Sequence, residues 1–76
     1  MRQEDRKKFV VLANKRVSRA LKSLQLVGNL SNRSNYDYAA EDVEKIFKAL
    51  QEELNACKKR FELAQKRQNN AKFTLE

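Results

Sequence analysis

Gly28-Asn29-Leu30-Ser31-Asn32-Arg33-Ser34-Asn35-Tyr36-Asp37-Tyr38 is the stretch whose reading decides the fold. It holds the only glycine of the chain, and five of its eleven residues are Asn or Ser. These residue types favour turns because they tolerate left-handed backbone or bond their own main chain. A long amphipathic run lies on each side. The stretch therefore reads as a turn over residues 28–38, and the chain as an all-α antiparallel two-helix hairpin with a connection of roughly ten residues.

Upstream, Val10, Ala13, Val17, Ala20, Leu24 and Val27 recur at alternating spacings of three and four, and Leu21 widens the stripe. At 100° per residue these positions share one side of a helix over about 4–27. Lys8, Lys15, Arg19 and Lys22 fall near the opposite side, and Phe9 sits at an edge of the stripe. Leu12 and Leu26 lie off it, as ordinary exposed leucines or as a second contact face. Glu4 and Asp5 stand where acids favour a helix N-terminus, and Gly28 where a left-handed residue closes a helix.

Downstream the period is stronger. Val43, Phe47, Leu50, Leu54, Cys57, Phe61 and Ala64 alternate four and three, with Ile46 adding width on one side. Three heptads of this kind predict a helix over about 39–68 that packs coiled-coil fashion on another helix. Asp37 is the expected N-cap, with Glu41, Asp42 and Glu44 in the first turns. Glu41–Lys45, Glu44–Lys48 and Glu62–Lys66 have the favourable acid-first order. The register runs on to Ala71 and Leu75, but Gln65-Lys66-Arg67-Gln68-Asn69-Asn70 is polar, so fraying is expected from Gln68 and a frayed tail over 69–76. Leu75-Glu76 reads equally as native sequence or as a vector-derived junction.

Seventy-six residues allow one domain, residues 1–76. A chain this short buries only about 60 % of its unfolded surface, so a lone core is marginal. Disulfides, metals or oligomerisation are the usual remedies. A single cysteine cannot bridge internally, and a chain without histidine has no standard zinc spacing. Oligomerisation remains. A homodimer closing a four-helix bundle along Val10, Val17, Leu24, Val43, Phe47, Leu50, Leu54 and Phe61 is the economical solution.

The net charge is +7, from 17 Lys and Arg against 10 Asp and Glu, and it is unevenly spread. Residues 1–35 hold nine bases and two acids, residues 36–56 two bases and six acids, and residues 57–76 six bases and two acids. Folding a hairpin would bring Arg2, Arg6, Lys7, Lys8, Lys15 and Arg16 beside Lys58, Lys59, Arg60, Lys66 and Arg67, a basic pole at the termini. Such a cluster binds phosphate without reading sequence. Dipole matching explains the acid-to-base order of the second helix with no ligand, but not the basic start of the first. A helix-turn-helix would need a turn of about three residues.

Catalysis is not expected. No histidine offers a general base, and one glycine cannot build a phosphate cradle. Cys57 falls on the apolar stripe and reads as a buried structural thiol. The carboxylates Glu41, Asp42, Glu44, Glu52 and Glu53 lack the Glu-x-x-His pairs of a bundle metal site. No cofactor, metal or small-molecule substrate is implied. The apolar run near the N-terminus is too short for a signal core, and no stretch reaches the roughly 20 apolar residues of a membrane span, which leads us to expect a cytoplasmic protein.

The turn offers a second surface. Arg33, Tyr36 and Tyr38 combine hydrogen-bonding and stacking chemistry of the kind found at interface hot spots. Alternatively the tyrosines pack over the bundle end while Asn and Ser satisfy helix termini. The chain thus reads as a non-enzymatic binding protein whose partner is nucleic acid or an acidic protein. The competing reading is a protein–protein adaptor that uses the apolar stripe and the Tyr/Arg turn.

Overall fold

A computed structural model describes the backbone of residues 3–72 and the side chains of residues 3–67. Two α-helices follow in order, α1 (Gln3–Asn29) and α2 (Ala40–Lys72), with no strand among the described residues. The chain is all-α, as its two apolar periods predict. It divides into two units, Met1–Asp37 and Tyr38–Glu76, each carrying one helix. The expectations for Arg2, Leu75 and Glu76 lie outside the described residues.

The 27 residues of α1 give a rod of about 40 Å. Glu4 and Asp5 occupy its first turn, where their charge opposes the positive end of the helix dipole. The far end departs from expectation. Gly28 is not a left-handed terminator: no described residue has a positive φ, and the helix runs through Gly28 to Asn29. Its last carbonyls are instead satisfied by tighter bonds, the Leu30 N–H donating to Val27 O at 3.0 Å and the Ser31 N–H to Gly28 O at 3.0 Å. A 3₁₀-type finish removes the need for a left-handed residue, so glycine's freedom goes unused here.

Residues 30–39 connect the helices, and Asn32 organises the middle of the segment. Its side-chain Oδ1 accepts the Ser34 N–H at 2.9 Å, an Asx turn. Its carbonyl accepts the N–H groups of Asn35 at 3.1 Å and Tyr36 at 3.0 Å. Sequence-local hydrogen bonds thus hold the turn where no regular ladder exists.

The cap of α2 is also corrected. Asp37 lies before the helix, and the N-cap position belongs to Ala39, whose carbonyl accepts from Asp42 N at 3.0 Å and Val43 N at 3.4 Å. The Asp42 carboxylate reaches back, Oδ2 accepting the Ala39 N–H at 2.8 Å. This is the returning half of a capping box, the third helical residue bonding the N-cap amide. Ala39 has no side-chain oxygen to supply the other half. Along α2, the Gln51 Nε2 donates to Asn55 Oδ1 at 3.2 Å across one turn. The helical backbone is described as far as Lys72, four residues past the expected end at Gln68. Once a helix is nucleated each residue adds a bond for one more fixed backbone, and the apolar register still runs through Ala71.

None of the described residues is buried. Leu12, Ala13, Val27, Tyr38, Val43 and Leu50 are half-buried, and the rest are exposed. Leu12 is therefore better covered than an ordinary surface leucine, whereas Leu26 is exposed as expected. Cys57, expected as a buried thiol, is exposed. The reason is general: an amphipathic face is shielded only by a second surface, and neighbours along the same helix cover it in part.

Candidate nucleic-acid interface

On α1 the cations sort by helical position into a stripe and outliers. Lys8, Lys15, Arg19 and Lys22 are spaced seven, four and three residues apart, so they line one side of the helix. From Lys8 to Lys22 the stripe covers about 21 Å. All four are exposed. An open depression lined by Ser18, Arg19, Lys22 and Ser23 lies on this stripe. Hydroxyls beside a guanidinium and an ammonium supply the donors that a phosphate accepts. The only acids of α1 are Glu4 and Asp5, within one turn of Lys8 but about four turns from Arg19 and Lys22.

The remaining cations of α1 stand elsewhere. The Arg6 guanidinium carbon lies 5.9 Å from the centroid of the Phe9 ring, a cation–π contact at the edge of the apolar stripe. Lys7 and Arg16 are exposed on either flank of the basic stripe. Of the N-terminal residues expected to bind phosphate, Lys8 and Lys15 therefore share a line and Arg6 does not. Arg19 and Lys22 were missing from the expected set. Their helical spacing from Lys15, four residues for Arg19 and seven for Lys22, was the available signal, but grouping by position in the chain obscured it.

On α2, Lys59 and Lys66 are one heptad apart, as are Arg60 and Arg67, and Lys58 stands toward the apolar stripe. All five are exposed. Leu63, 49 % exposed, lies among them on the side away from the stripe. Here acids intervene, because Glu62 sits within a turn of Lys58, Lys59 and Lys66. The basic surface of α2 is accordingly more mixed than that of α1.

The apolar candidates are open to solvent. Phe47, Leu54 and Phe61 are 56 %, 54 % and 60 % exposed, and Val10, Val17 and Leu24 are exposed as well. Val43 and Leu50 are half-buried. In the connection, Tyr36 is 48 % exposed, Arg33 is exposed and Tyr38 is half-buried. The two tyrosines thus differ: Tyr38 is partly packed, and Tyr36 faces water.

Among the described residues no group of three or more His, Cys, Asp or Glu stands together as a metal site, and no helix is long and apolar enough to cross a membrane. No protein-family model matches the chain, and comparison with curated proteins and with solved structures returns no match.

Proposed function

We propose that the protein is a small, non-enzymatic nucleic-acid binder, cytoplasmic and homodimeric, that grips the phosphate backbone without reading sequence. The observation that carries this reading is the Lys8–Lys15–Arg19–Lys22 stripe. Four exposed cations run along α1, three of them (Lys15, Arg19 and Lys22) with no acid within a turn, and the helix dipole gives no reason for them to be there. Over the same 21 Å a duplex carries on the order of a dozen phosphate charges, so several contacts can form at once. In this reading the helices fold as an antiparallel hairpin within one domain, which brings Lys59 and Lys66 of α2 to the same end of the hairpin as Lys8 and Lys15. Fluorescence-anisotropy titration of labelled duplex DNA and RNA across a salt series tests it. Affinity should fall linearly on a log–log plot, and failure to bind at the lowest salt rejects the reading.

The exposure of Tyr36 and of the apolar stripes favours a second reading, a protein–protein adaptor. A contact that fills an apolar groove would change little across the same salt series, which separates the two.

A further inference from the structure

We infer that α2 docks antiparallel on α2 of a second copy, in one register set by Glu53 and Arg60. This deepens the homodimer part of the proposal above and is independent of nucleic-acid binding. The first observation concerns charge. Nearly every charged residue of α2 has an opposite charge three or four positions away on its own helix, as Glu41 and Glu44 do with Lys45 and Lys48. Glu53, Arg60 and Arg67 do not, and of these Glu53 is the one acid. Ala49, Leu50, Ala56 and Cys57 surround Glu53, and Ala56, Cys57, Leu63 and Ala64 surround Arg60. Glu53 and Arg60 are exposed, and they stand seven residues apart in line with Ile46, at one edge of the apolar stripe. Charges at that flanking position set partner and orientation in helix pairs.

The second observation concerns volume. Opposing Glu53 to Arg60 of an antiparallel second copy forms two such pairs per dimer. The same register sets Phe47 across from Ala64, Phe61 across from Leu50, and Leu54 across from Cys57. Each large side chain meets a smaller one, as a well-filled seam requires. Phe47 and Phe61, 56 % and 60 % exposed, each still have roughly 100 Å² to remove from water. Sliding one heptad in either direction opposes Glu53 to its own copy or Arg60 to its own copy. A parallel pairing would stack Phe47 on Phe47 and Phe61 on Phe61 while setting Ala64 on Ala64. It would also align like charges, since residues 40–54 hold five acids and two bases and residues 55–67 five bases and one acid. One register therefore satisfies both charge and volume, and it is self-complementary, which is why the occupant is a second copy.

Sedimentation equilibrium on the full chain tests the register with Glu53→Lys, Arg60→Glu, the double variant, and an equimolar mixture of the two single variants. Each single variant places like charges opposite one another twice and should weaken the dimer on the order of tenfold. The double variant and the mixture both restore opposite charges and should return close to the parent dissociation constant. That recovery also shows that each site accepts its substitution. A parent dimer whose single variants are unaffected, or whose double variant and mixture fail to recover, overturns the register while leaving dimerisation standing. A parent chain that stays monomeric at every concentration overturns both.

Discussion

Replacing Arg19 and Lys22 together by Gln should remove half of the salt dependence that α1 contributes to nucleic-acid binding. Four cations in contact with duplex phosphates give a slope of about −3.6 in log affinity against log salt, and two give about −1.8. Between 50 and 200 mM salt the four-cation slope amounts to a loss of about 150-fold, the two-cation slope to a loss of about 12-fold. Contacts added by Lys59 and Lys66 would steepen both slopes equally, so the difference of about 1.8 is the diagnostic quantity. Glutamine is nearly as good a helix former as Arg or Lys, so α1 should keep its far-ultraviolet circular dichroism. Arg6→Gln is the internal control. Its guanidinium lies over the Phe9 ring rather than on the stripe, so its slope should stay near that of the parent. Anisotropy titrations on one duplex at four or five salt concentrations supply all three slopes. An unchanged slope for the double variant would refute the stripe as the phosphate-binding surface, and an equal loss for Arg6→Gln would return the site to undirected charge.

Three further outcomes follow from local geometry. Gly28→Ala should stabilise α1 by about 0.5–1 kcal/mol, because Gly28 is helical and an added Cβ would meet no atom within 4 Å; a lower thermal midpoint at fixed protein concentration would contradict this. Asp42→Ala should cost about 0.5–1 kcal/mol through loss of the Ala39 amide contact, whereas Asp37→Ala should cost under about 0.5 kcal/mol, and urea titration followed by circular dichroism would expose a reversed order. Cys57 should react fully with a thiol reagent in dilute protein and more slowly as concentration rises through dimer formation, since the antiparallel register covers it with Leu54 of the second copy; a flat rate in the presence of dimer would count against that seam.

The two apolar periods were enough to place both helices, because each sums many positions: one misplaced residue among Val43, Phe47, Leu50, Leu54 and Phe61 would not shift the phase. The basic stripe was legible in the same way, through the spacing of Lys8, Lys15, Arg19 and Lys22. Grouping cations by chain segment instead directed attention to Arg6, whose neighbour Phe9 holds it elsewhere. The helix ends were less legible. Gly28 and Asp37 are residues of the expected types at the expected places, yet neither is used as expected. At an end only one or two hydrogen bonds separate rival conformations, and a preference worth about 1 kcal/mol is easily outweighed.

What the sequence determined by itself was the class of the fold, the phase of each apolar stripe and the sign of each face. Those properties are periodic and rest on the chemistry of many residues at once. What only the folded structure decided was local. α1 closes with tight turns after Asn29, Asp42 rather than Asp37 caps α2, the helix carries on to Lys72, and Leu12 and Tyr38 are partly covered while Tyr36 and Cys57 are not. These features depend on which single donor finds which single acceptor, and on which neighbour lies over a side chain. Such choices are made in three dimensions among near-equal alternatives, and no periodicity encodes them.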